Sequence, residues 1–154
     1  MNILLYYSSL KLGGQQTQLL NLCKNFKLLG HNVQFLYEAD GDLRNCFKQS
    51  SKLFKIDIST NANIKLFKTN KLIKYLLFLI NTYKRVNFLK CTFKDNNYNL
   101  VITSDSYRSF LVGVSSLSFK FKHFRLIGQD IESLEKPWFR LYRIMFIDRF
   151  IDKG

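Results

Sequence analysis

The sequence predicts an α/β fold: a Rossmann-like open parallel sheet flanked by helices, in one domain over residues 1–154. Three observations carry that prediction. Asn2–Tyr7 (NILLYY) is a continuous apolar run, as suits a strand covered on both faces. Gln15–Leu29 places Leu19, Leu22, Cys23, Phe26 and Leu29 at spacings of three and four, hence on one helical face. Val33–Tyr37 (VQFLY) is a second apolar run. A strand–helix–strand unit of this length implies parallel strands joined by a right-handed crossover.

The remaining elements follow in order. Gly30 stands where a left-handed helix cap is needed, a conformation glycine adopts without steric cost. Gly41–Lys52 is polar and loop-like, with room for a short helix, and Leu53–Ile58 reads as a third strand. Ile64–Lys94 is a long helical stretch with a break expected near Thr82. Asn96–Asn99 is a turn into a fourth strand, Leu100–Thr103 (LVIT). Arg108–Leu117 reads as a helix packing through small residues and Phe124–Gly128 as a fifth strand. Pro137–Ile147 reads as a helix with proline in its first turn, and Phe150–Ile151 as the start of a sixth strand. Strands alternating with helices imply a parallel sheet covered on both sides.

Composition narrows the function classes. An apolar content of 47 % and an aromatic content of 16 % exclude a disordered chain. Cys23, Cys46 and Cys91 are widely spaced and form no CxxC, and His31 and His123 stand at no ligand spacing from them, so no metal site is expected. A reducing compartment fits such cysteines better than a disulfide framework. MNILLYYSS lacks a basic leader region and no apolar run reaches the ~20 residues of a membrane span. A cytoplasmic protein, soluble or peripheral at the inner face of the membrane, is expected. The net charge of +13 suits an anionic partner such as nucleic acid, anionic lipid or a phosphorylated substrate; the Lys-, Asn-, Ile- and Phe-rich composition of an AT-rich coding sequence yields the same excess.

The chemistry-bearing motif is Gly13-Gly14, between the first strand and a helix N-terminus. Free amides and the helix dipole make that point receptive to anions, and a residue without Cβ lets a phosphate reach the main chain. The alternative is that the glycines only let the chain turn. No GxxxxGK[ST] and no GxGxxG is present, and Glu38 ends the second strand without the fingerprint of a dinucleotide site. Ser8-Ser9 occupy the place where a receiver domain needs acids. Asp105, after the fourth strand, points toward the carboxyl-end crevice or serves as a turn residue.

The strand, the GG loop, the leucine-rich helix and the Gly30-His31-Asn32-Val33 stretch together resemble the opening of family-4 glycosyltransferases of the GT-B type. NNYNLVITSDS, FRLIGQDIES and RLYRIMFIDRFID extend the resemblance over essentially the whole chain. It implies an N-terminal, acceptor-side domain of an enzyme that moves a sugar from a nucleotide-sugar donor to a glycan acceptor, including lipid-linked ones. No cofactor or metal is implied. Gly13 and Gly14 would contact the donor diphosphate; His31 would be structural. Where many members carry His-Asp after the fifth strand, this chain has Gln129 and Asp130. Gln129 cannot exchange a proton near neutrality, so a catalytic base falls to Asp130, unless that residue merely caps the next segment; Asp105 and Gln129 would face the acceptor. The donor-binding half with its paired glutamates is expected to lie outside this chain, which alone would be inactive and would need a complementary C-terminal half.

Two basic, aromatic stretches complete the picture. Lys65, Lys68, Lys71, Lys74, Lys84, Arg85, Lys90 and Lys94 interleave with Leu66, Phe67, Ile73, Leu77, Leu79 and Ile80 and no acid. Trp138, Phe139, Tyr142 and Phe146 mix with Arg140, Arg143 and Arg149. Solvated cations over an apolar face turned to the sheet is one reading. An anionic membrane surface is the other, ahead of nucleic acid, for which no recognition signature is present.

Overall fold

The computed structural model describes residues 1–56, 71–117 and 119–125. These contain β1 (Asn2–Ser9), α1 (Gly14–Leu28), β2 (Asn32–Ala39), α2 (Arg44–Ser50), β3 (Lys52–Lys55), α3 (Lys71–Asp95), β4 (Leu100–Thr103), α4 (Ser106–Ser115) and β5 (Lys122–Arg125). The strands form one sheet in the order β3-β2-β1-β4-β5, and every pairing is parallel. The Rossmann-like α/β architecture expected from the sequence is the one observed.

Alternation along the central strands divides the core. Ile3, Leu5, Tyr7, Val33, Phe35 and Tyr37 pack with Leu19, Leu20, Cys23 and Phe47 of α1 and α2. Leu4, Tyr6, Leu36 and Val101 pack with Val86, Leu89, Phe93, Leu111 and Val112 of α3 and α4. Successive side chains point to opposite faces, so a run apolar at every position is buried twice over. The chain thus winds outward from β1 with its helices on one face, then crosses to β4 and continues on the other. The order reverses between β1 and β4.

Helix ends follow local chemistry. Gly30 has φ of 77°. Its amide bonds Lys27 O and the His31 amide bonds Phe26 O, both at 3.0 Å, the two bonds of a Schellman cap. His31 lies near the Phe26 ring at the amino-terminal edge of the sheet. Leu29, assigned to the apolar face from spacing, is instead 70 % exposed. It is the C-cap of α1, so its side chain no longer follows the helical stripe.

Other boundaries move. Helix α4 begins at Ser106 rather than Arg108 because Asp105 caps it, its carboxylate accepting the Arg108 amide. Within the described residues α3 is unbroken through Thr82. The Thr82 hydroxyl bonds the Tyr107 hydroxyl at 2.9 Å instead of disturbing its own helix. Strand β3 spans Lys52–Lys55 and β5 spans Lys122–Arg125. Ile56, expected in the third strand, lies just past its end with its amide on Tyr37 O at 2.8 Å; residues 57–58 of that strand, 126–128 of the expected fifth, the helix at Pro137–Ile147 and the strand at Phe150–Ile151 lie outside the described residues.

Two buried acids tie this core to alkaline pH. Burial raises the Cys23 thiol from 9.0 to about 12, against a lowering contact from Ser51. Burial likewise raises the Tyr98 hydroxyl from 10.0 to about 12; that hydroxyl donates to Gln34 Oε1. Both groups ionise more readily in the unfolded chain, so their stabilisation is complete below the unfolded values and lost as pH climbs toward the folded ones. The urea midpoint should therefore hold steady up to about pH 8.5 and fall steeply by about pH 11. Cys23→Ala should shrink that fall, as followed by circular dichroism.

Candidate functional site

In open α/β sheets, ligands lie beyond the carboxyl ends of the strands where the strand order reverses. Here that point is flanked by the loop after β1, which carries Gly13-Gly14, and by the β4–α4 turn, which carries Asp105. The sequence-derived Gly13, Gly14 and Asp105 thus follow the carboxyl ends of the two adjacent strands β1 and β4. Gln129 and Asp130 lie outside the described residues.

Gly13 is the N-cap of α1 and Gly14 its first residue. No side chain caps the helix. The first intrahelical amide bond runs from Thr17 N to Gly13 O at 3.0 Å, so the amides ahead of Thr17 have no acceptor within the helix. Neither glycine is demanded by the chain path. Gly13 has φ of −179°, extended backbone open to any residue. A Cβ on Gly14 would meet nothing within 4 Å, and one on Gly13 would meet only the mobile end of the Gln16 side chain. The glycine that this loop does require is Gly41. A Cβ there would lie 2.3 Å from Leu10 C and Lys11 N. The loops after β1 and β2 are in backbone contact, joined by Leu10 N to Ala39 O and Leu43 N to Leu10 O, both at 3.0 Å. Gly41 therefore holds the diglycine loop in place.

Behind the crevice lies an ionic cluster that sequence reasoning missed. Glu38, near the end of β2, accepts from Tyr6 Oη at 2.7 Å. It also pairs with Arg85 Nη2 at 3.1 Å and Arg108 Nη2 at 3.0 Å. Arg108 Nη1 reaches Asp105 Oδ2 at 2.7 Å, while its buried Nε has no partner among the described residues. The Arg108 guanidinium stands over the Tyr6 ring. Burial alone would lower the Arg108 pKa, but Asp105 and Glu38 outweigh it and raise it. The Tyr6 hydroxyl is driven far above its ordinary range by burial first and then by the Glu38 charge and hydrogen bond. Tyr7 Oη donates to Gln15 Oε1 at 2.7 Å; burial and the nearby Asp105 charge raise its pKa, against Arg108.

This geometry assigns distinct work to the two acids. Both Asp105 oxygens are committed, to the α4 cap, the Arg108 guanidinium and the Ser104 hydroxyl. Such a carboxylate orients its surroundings rather than shuttling a proton. Glu38 is the hub joining β1, β2, α3 and α4, not a ribose ligand. Of the expected solvated cations, Arg85 is instead paired and mostly covered. Conversely Ile73, Leu79 and Ile80, expected on the sheet-facing side, are exposed. None of these three joins either core cluster among the described residues, while Phe78 in the same half of α3 packs against the Tyr107 ring of α4. Among the described residues no three His, Cys, Asp or Glu side chains gather as metal ligands, and no helix is long and apolar enough to cross a membrane.

The fold is that of a Rossmann-like α/β domain, which the chain shares with solved glycosyltransferases and with other proteins. No family model and no curated protein matches the sequence, whereas solved structures do. Sucrose-phosphate synthase from Thermosynechococcus elongatus aligns with a TM-score of 0.61 at 12 % identity, over 99 % of this chain and 40 % of that one. The apo lipopolysaccharide outer core galactosyltransferase WaaB aligns with a TM-score of 0.57 at 18 % identity, over 81 % and 32 %. The C-terminal domain of PF1911 hydrogenase from Pyrococcus furiosus aligns with a TM-score of 0.59 at 10 % identity, over 81 % and 90 %. At these identities the likeness establishes the fold. The chain spans well under half the length of the two transferases.

Proposed function

We propose that this domain is the acceptor-side lobe of a GT-B sugar transferase. The crevice between β1 and β4 receives a glycan acceptor, free or lipid-linked. The amides at Gly13, Gly14 and Gln15 meet the diphosphate of a nucleotide-sugar held mainly by a second lobe, in the same polypeptide or another. The observation that carries this reading is the diglycine itself. The backbone needs neither residue, yet Gly14 leaves open space at an uncapped helix N-terminus beside the switch point, and at Gly13 only the movable Gln16 side chain stands close. Anions are stabilised there by the free amides and the helix dipole. Asp105, fixed by Arg108, lines the acceptor side; Asp130 is the proposed base, with Gln129 beside it. Positioning donor and acceptor together supplies much of the rate in such reactions, so the single lobe is inactive by this reading.

Gly14→Ala separates function from fold. Alanine in a first helical turn changes stability by only about 1 kcal/mol or less, and its Cβ meets no neighbour. In the ¹⁵N-labelled wild-type chain, inorganic pyrophosphate and UDP should shift the amide signals of Gly14, Gln15 and Gln16, and Gly14→Ala should blunt those shifts while thermal melting stays put. Calorimetry of the chain alone with UDP-sugars or GDP-sugars should give negligible heat. Silent amides at this helix, or tight binding of a nucleotide-sugar by the lobe alone, would overturn the assignment.

A further inference from the structure

We infer that the exposed apolar face of the first half of α3 is a docking surface for an anionic lipid bilayer. Helix α3 runs back along the sheet, from its carboxyl-end edge to the Asn96–Asn99 turn. Arg85 meets Glu38 near the end of β2, and Thr82 meets Tyr107 in the first turn of α4. The ten residues Lys71–Ile80, about 15 Å of helix, precede these contacts, and within them Phe78 touches the Tyr107 ring.

This half of the helix carries Ile73, Leu76, Leu79 and Ile80, followed by Tyr83, which are 44–67 % exposed. At 3.6 residues per turn these five occupy about 120° of the helix, rotated about 100° from the Val86, Leu89 and Phe93 stripe that packs on the sheet. Exposed Lys90 and Lys94 continue the same face, and exposed Lys84 borders it. No acidic residue occurs in α3 before Asp95. An apolar stripe running into a cationic one is the pattern of a helix lying in a membrane interface. Charge selects the occupant: a face this basic on a chain of +13 repels a second copy of itself and attracts anionic headgroups. The inference stands on α3 alone and does not require the sugar-transfer reading.

Vesicle co-sedimentation tests it. The full chain should pellet with phosphatidylcholine vesicles containing phosphatidylglycerol and remain in solution with phosphatidylcholine alone. Lys90→Gln with Lys94→Gln should weaken the partitioning about 25-fold, at about fivefold per lysine. Leu76→Ser with Ile80→Ser should weaken it at least tenfold or so and leave the circular dichroism spectrum unchanged. Equal pelleting with both vesicle types, or none, overturns the inference. So does a concentration-dependent dimer that either pair of substitutions dissolves, which would make a second copy the occupant. A drop in melting temperature in the serine variant with unchanged lipid binding also overturns it, because the chain's own remaining segments would then cover the face.

Discussion

Replacing Arg108 with methionine is expected to cost about 3–5 kcal/mol of folding stability, the penalty for stranding buried charge when one partner of an ion pair is removed. Arg108 is the sole cation within bonding distance of Asp105 among the described pairings, and it shares Glu38 with Arg85. The side chains of Arg108 and Glu38 are only 12 % and 16 % exposed, so water cannot take over. Methionine preserves most of the volume, which isolates the charge effect. The compensating change is informative. Arg108→Met combined with Asp105→Ser removes the stranded carboxylate and keeps a capping hydroxyl, while Glu38 keeps Arg85 as its counter-ion, so it should recover much of the loss. Urea denaturation measures both. A single variant as stable as wild type would show that the cluster is solvated in solution.

The second large effect concerns a residue with no chemistry of its own. Gly41→Ala should destabilise by about 3 kcal/mol, the upper range for forcing atoms into a packed site. Its Cβ would fall within 2.5 Å of Leu10 C, Leu10 O and Lys11 N, main-chain atoms that cannot rotate aside. The loop after β1 would have to lift. The amide signals of Gly13 to Gln16 should then move even without an anion, and their response to pyrophosphate should fade. Gly14→Ala should do the reverse, sparing stability and starting shifts while blunting the response. Identical behaviour of the two variants would refute the division of labour between a supporting glycine and a contacting one.

The contrast marks what can be read along a chain and what cannot. Runs such as NILLYY and VQFLY announce strands because burial on both faces requires apolar residues at every position. Gly30 announces a cap because its backbone is left-handed. Gly13-Gly14 stood out for adjacency to a strand and a helix. Gly41 gave no such sign: its constraint comes from a chain segment some thirty residues earlier, which only the parallel pairing of β1 and β2 brings near. The cluster on Glu38 is hidden for the same reason. Arg85 lies 47 residues away, and neither arginine has a helical or strand-periodic relation to Glu38. Asp105 showed its position at the crevice but not its ties to Arg108. The basic, apolar stretch of α3 stood out in the sequence with two readings left open, because periodicity tells which residues share a side, not whether the sheet covers them.

The two backbone bonds between Leu10 and the segment after β2 bear on how ligand is captured. A loop stitched to its neighbour cannot swing down as a flap. The conformational freedom that a floppy phosphate grip would surrender on each encounter has already been surrendered once, during folding. Under the proposed sugar-transfer reading, opening and closing around a substrate would arise from motion of the facing lobe, while the diglycine stays still as the anvil.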